Sequence, residues 1–119
     1  MNADVKAVWT AALRSGMWKQ GKGILARVRD GDVEYCCLGV LCELAAQSGI
    51  IPKGLESVRP GDGELITYGG HGSWLPDPVR WWAGLGSPNP KLGDACASAW
   101  NDKKGATFSE IADLIDEHL

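Results

Sequence analysis

The tightest constraint on this 119-residue chain is the dipeptide Asp30-Gly31. It separates two short runs, residues 24–29 and 32–37, and Asp-Gly is a favoured pair for a two-residue type I′ hairpin turn. A turn of that length fixes the register. Val28 then faces Val33, Ala26 faces Tyr35 and Ile24 faces Cys37 on an apolar side. Arg27 faces Glu34 and Arg29 faces Asp32 on the other side, as opposite-charge pairs worth about 0.2–1 kcal/mol each. The register places Cys36 on the polar face opposite Leu25 and points Cys37 into the core.

The hairpin delivers the chain into Tyr35-Cys36-Cys37-Leu38-Gly39-Val40-Leu41-Cys42, which opens the most apolar helical segment, predicted over 38–48. Gly39 costs a helix about 1 kcal/mol against Ala, so its presence points to a close approach of backbone or ligand. A first helix is predicted over 3–15, capped by Asn2, with Val5, Val8, Trp9, Ala12 and Leu13 on one face. Residues 17–23 read as a loop. A strand is predicted over 64–68, and a short helix follows with Asp77 as cap and Pro78 at its first position. Residues 95–100 form a short element of open type. The last helix begins with the capping box Thr107-Phe108-Ser109-Glu110 and buries Phe108, Ile111, Ala112, Ile115 and Leu119.

These elements predict a small α+β domain, an antiparallel hairpin or sheet packed against three to four helices, spanning 1–119 as one domain. The glycine-rich stretch 54–73, with turns at Pro60-Gly61-Asp62-Gly63 and Gly69-Gly70-His71-Gly72, reads as a flexible insertion or flap. No apolar run approaches the roughly 20 residues that cross a bilayer, and no signal peptide opens the chain, which predicts a cytoplasmic protein. In that compartment the four cysteines are expected as free thiols.

Charge is distributed unevenly. Residues 1–29 carry six bases against one acid, net +5, and the remainder six bases against fourteen acids, net −8. A basic quarter on an acidic body argues against general nucleic-acid binding but suits a smaller anion. The loop Trp18-Lys19-Gln20-Gly21-Lys22-Gly23 lacks the Gly-Lys-Ser/Thr ending of a P-loop. It still offers backbone donors, two lysines and a ring for stacking, and Arg14 and Arg27 flank it. Cys36 at a helix start, with the polar pair Asn101-Asp102, completes the candidate binding set. A solvated basic loop and a turn before the capping box are the plainer readings of these residues.

Three motifs carry a resemblance. Trp9-x-x-Ala12-Leu13-Arg14-Ser15-Gly16 with Gln20-Gly21, then the 35–42 stretch, then Asn101-Asp102 with Phe108-Ser109-Glu110-Ile111-Ala112-Asp113-Leu114-Ile115 resemble a family of small uncharacterised phage and prophage proteins. The resemblance covers nearly the whole chain and implies a viral accessory protein acting in a bacterial cytoplasm. It supplies no catalytic residue. Joined to the charge asymmetry and the Trp18 loop, it suggests a counter-defence protein that sequesters a small anionic, nucleotide-like ligand without catalysis.

The alternatives are a module that inhibits a host protein through Trp81, Trp82, Asp113 and Asp116, and a papain-like cysteine hydrolase using Cys36 or Cys37 with His71. A zinc site from Cys36, Cys37, Cys42, Cys96, His71 and His118 lacks any C-x-x-C pair. The reading therefore leans away from an enzyme, assigns no cofactor, metal or membrane partner, and leaves a homo-oligomer open.

Overall fold

In the computed structural model, which describes residues 1–57 and 61–119, five helices stand with a five-stranded sheet and a two-stranded one. The chain runs α1 (Ala3–Arg14), β1 (Lys19–Gln20), β2 (Ala26–Arg29), β3 (Asp32–Tyr35), α2 (Cys37–Gln47), β4 (Lys53–Ser57) and β5 (Glu64–Tyr68). It continues through α3 (Asp77–Ala83), β6 (Lys91–Leu92), β7 (Ala95–Cys96), α4 (Ala97–Asp102) and α5 (Phe108–His118). The large sheet has the order β1-β3-β2-β5-β4, antiparallel except for the parallel pair β1–β3. The expected α+β domain is what forms.

The hairpin keeps the register that Asp30-Gly31 dictates: Ala26 pairs with Tyr35, Arg27 with Glu34, Val28 with Val33 and Arg29 with Asp32. Both turn residues have positive φ, 52° at Asp30 and 82° at Gly31, as a type I′ turn requires. The strands are shorter than the alternation suggested. The strand ends at Tyr35, where α2 begins two residues on; Cys36 stays extended, donates its N–H to the Leu25 carbonyl at 3.1 Å, and caps α2, its sulfur accepting from the Gly39 N–H at 3.4 Å. Cys36 thus keeps its expected place opposite Leu25, but that end of the face is buried rather than polar. Both it and Cys37 are buried.

α2 lies against the sheet through Gly39. A Cβ there would overlap the Leu25 carbonyl, so the glycine is present for backbone approach rather than for flexibility. Further along α2, buried Glu43 accepts from the Tyr68 hydroxyl at 2.9 Å and from Lys53 Nζ at 3.1 Å on both oxygens. That anchors β4 and β5 to the helix. The 54–73 stretch, read as a flexible insertion or flap, thus contributes two regular strands that widen the sheet beyond β2. Ile66, Thr67 and Tyr68 are buried there. Pro60 of the expected turn lies outside the described residues.

α1 and α5 pack side by side. Asn2 caps α1 by accepting from Val5 N–H, and the Thr107–Glu110 capping box closes reciprocally on α5. Trp9 and Leu13 meet the core with Ile111 and Ile115, the two isoleucines contributing about 2 kcal/mol each by burial. Val8, expected on the buried face, is 50% exposed, and Thr10 is buried in its place. In α3 the cap is Pro76, and Asp77 falls inside the first turn, where its carboxylate accepts from Arg80 at 3.0 Å. The helix is thereby one residue longer at its start than expected. Of the tryptophan pair, Trp81 is exposed and Trp82 packs against the core.

Candidate functional site

The residues singled out from sequence divide into three groups around β1. The expected loop 17–23 contains that strand, two residues that pair in parallel with Glu34 and Tyr35. So short a strand has no periodicity to announce it.

The first group is buried or half-buried and mutually satisfied. Asn101, at the end of α4, is fully buried. Its amide oxygen accepts from Gln20 Nε2 at 2.9 Å and from the Cys37 N–H at 3.2 Å. Its amide nitrogen donates to the Gly21 carbonyl and to the Asp102 carboxylate, both at 2.8 Å. Gln20 also donates to the Ala106 carbonyl at 2.9 Å, and Asp102 accepts from the Gly23 N–H at 3.1 Å. Asn101 and Gln20 together tie four separate segments: β1, the start of α2, the end of α4 and the loop before α5. Cys36 belongs here too. Burial pushes its thiol up to about 11, and desolvation raises Cys37 and Cys42 as well. At neutral pH these thiols are protonated and inaccessible, the opposite of an activated nucleophile.

The second group is a single residue. Arg14 donates to Asp113 at 2.8 Å and to Asp116 at 2.7 Å across the α1–α5 contact. Those hydrogen bonds raise its pKa further and occupy the guanidinium. It stands apart from the loop it was expected to serve, and it engages two of the carboxylates assigned to a protein partner.

The third group borders open space. Because β1 pairs only with the last two residues of β3, the chain diverges at Met17 and Trp18 and leaves Asp32 and Val33 without a neighbour on that side. The gap is an open cleft of about 560 Å³ lined by Met17, Trp18, Lys19, Asp32, Val33 and Tyr35. Trp18 and Tyr35 meet edge to face, ring centroids 4.9 Å apart. Lys19 reaches Asp32 at 3.4 Å and Glu34 at 3.9 Å. On the far side of Glu34, Gly21, Lys22 and Arg27 line a much smaller cleft with Ile24. Three cations thus stand around two carboxylates at one end of the sheet, with an aromatic pair beside them.

Sequence reasoning found Trp18 and Lys19 but missed Met17, Asp32, Val33 and Tyr35. Tyr35 had a signal, as the aromatic on the apolar side of the hairpin. Nothing in the sequence placed β1 next to β3. Burial first, then the charge of Glu43, raises the Tyr35 phenol, so it acts as a neutral ring and donor. His71 sits in the turn after β5, its backbone bridging Tyr68. Among the described residues no three of His, Cys, Asp and Glu converge as a metal site, and no helix is long and apolar enough to cross a membrane.

Residues 1–119 match the family model described as Domain of unknown function (DUF8296). No curated protein and no solved structure matches the chain.

Proposed function

The chain belongs to the DUF8296 family over its whole length, and we propose that it is a non-catalytic binding protein whose seat is the Trp18 cleft. The ligand class is a planar ring carrying an anionic group, as in a nucleotide. The observation that carries this reading is the pairing of an aromatic wall with cations at one open cleft: Trp18 against Tyr35, Lys19 at the rim, Lys22 and Arg27 one strand away. A nucleobase stacks on the indole face at about 1–3 kcal/mol. A phosphate group then competes with Asp32 and Glu34 for the lysine, exchanging one charge-assisted pair for a stronger one. Buried, protonated thiols support binding without chemistry.

Joined to the phage-type sequence pattern, the same geometry supports a viral accessory role in a bacterial cytoplasm: withdrawing a nucleotide-like signal from the host. A second reading, inhibition of a host protein, rests on Trp74 and Trp81, which are 59% and 65% exposed before and within α3.

The test is a titration with mono- and cyclic nucleotides followed by the Trp18 indole N–H resonance. The binding reading expects that resonance to shift together with Tyr35, and Trp18→Ala to abolish the response. Shifts confined to Trp74 and Trp81 on addition of host lysate fractions, with none at Trp18 for any nucleotide, would favour the second reading.

A further inference from the structure

We propose that β4 is a dimerisation edge: two copies of this chain join antiparallel through Lys53–Ser57, extending two five-stranded sheets into one of ten strands. β4 ends the sheet, all five of its residues are exposed, and among the described residues no strand or helix covers its free side.

The ladder geometry says which groups are open. The Gly69 N–H donates to the Pro52 carbonyl at 2.8 Å, which makes 52 and 69 a hydrogen-bonded pair. Pairs alternate along an antiparallel ladder, so Gly54 and Glu56 turn their backbone groups toward Thr67 and Leu65 of β5. Lys53, Leu55 and Ser57 therefore point N–H and C=O outward. Edges are ordinarily shielded by a bulge, an internal proline or a projecting lysine. The β4–β5 register runs unbroken over five residues and contains no proline. Its one lysine is drawn back onto Glu43 of its own molecule. Within Lys53–Ser57 these three devices are missing or disarmed.

A second copy fits this edge because the edge is self-complementary about Leu55. In a two-fold pairing centred there, Leu55 meets Leu55, and Lys53 meets Ser57 in both directions. That register pairs every open group of the strand, six backbone hydrogen bonds in all. Leu55, 59% exposed in the single chain, gains an apolar partner. Charges fit as well. Glu56 lies opposite Gly54, whose lack of a side chain leaves it room. A shift that centred the pairing on Lys53 or Glu56 would set like charges directly opposite and destabilise it.

Sedimentation and native mass spectrometry test this on the full chain, with hydrogen exchange of the β4 amides beside them. The expected mass is twice 12.7 kDa. The amides of Lys53, Leu55 and Ser57 should be protected at high concentration and lose protection on dilution. Leu55→Lys should shift the mass to monomer while the near-ultraviolet dichroism stays native. Leu55→Pro removes an outward N–H and should do the same. If the proline variant misfolds, the lysine variant and the exchange data decide. A monomer at the highest soluble concentration, a dimer that Leu55→Lys leaves intact, or unprotected amides at 53, 55 and 57 would overturn the proposal.

Discussion

Lys19 and Gln20 are neighbours in a two-residue strand, and their side chains enter different environments. Gln20, half-buried, reaches inward to fully buried Asn101 and the Ala106 carbonyl, where donors and acceptors are matched. Lys19 reaches outward to Asp32 and Glu34 at the rim of an open cleft, where the same kinds of groups stay exchangeable. The inner side fixes where β1 runs. The outer side borders open space. A two-residue strand has too little ladder to hold its own position, so the Asn101 junction acts as the mount on which the Trp18 cleft is built.

Removing the mount should have the largest effect. Asn101→Ala leaves Gln20, the Cys37 N–H and the Gly21 carbonyl without their buried partner, at a cost of about 4 kcal/mol in urea denaturation. It should also loosen the cleft, seen as faster exchange at Gly21 and Tyr35. A loss below about 1 kcal/mol would mean the junction is not what positions β1.

Alkaline pH tests the inner side differently. The Cys36 thiol titrates near 9 when unfolded and about 11 when folded, and Cys37 and Cys42 are raised too. The unfolded state ionises first, so this contribution is intact below pH 9 and is lost as pH rises toward 11. The urea midpoint should fall steadily across that window, and Cys36→Ala should flatten the fall. Iodoacetamide at neutral pH should leave Cys36 unmodified until the chain unfolds. Rapid labelling of Cys36 in the native protein would break the contrast between the two sides.

The smallest effect belongs to Arg14. Its ion pairs with Asp113 and Asp116 are solvent-exposed, and pairs of that kind contribute little and are screened by salt. Arg14→Ala should leave the denaturation midpoint almost unchanged at physiological ionic strength. It should leave binding at the cleft unchanged as well, a direct check that Arg14 is no part of it.

Short-range chemistry in the sequence was the readable part of the fold. The type I′ turn fixed four residue pairs, Asn2 and the Thr107–Glu110 box fixed two helix starts, and Gly39 signalled a backbone contact that proves to be Leu25. Long-range pairing was not readable. β1 carries no alternation, and its placement depends on hydrogen bonds to a residue 81 positions away. In 54–73 the strand at 64–68 was readable, but the surrounding glycines suggested irregularity because their turn signals outweighed β4, which Lys53 ties to Glu43. At the site, Gln20, Gly21, Asn101 and Asp102 were grouped as ligand-binding residues, and they do lie together. What brings them together is mutual hydrogen bonding, and residue type alone cannot separate a satisfied junction from a pocket.

The most direct test of the binding account is to purify the protein from bacteria that produce it, in parallel with Trp18→Ala, denature both, and identify the released small molecules by mass spectrometry. The account predicts a nucleotide-like molecule in stoichiometric amount from the native chain and none from the variant. Equal recovery from both, or none from the native chain together with an unmoved Trp18 resonance across the nucleotide panel, would contradict it.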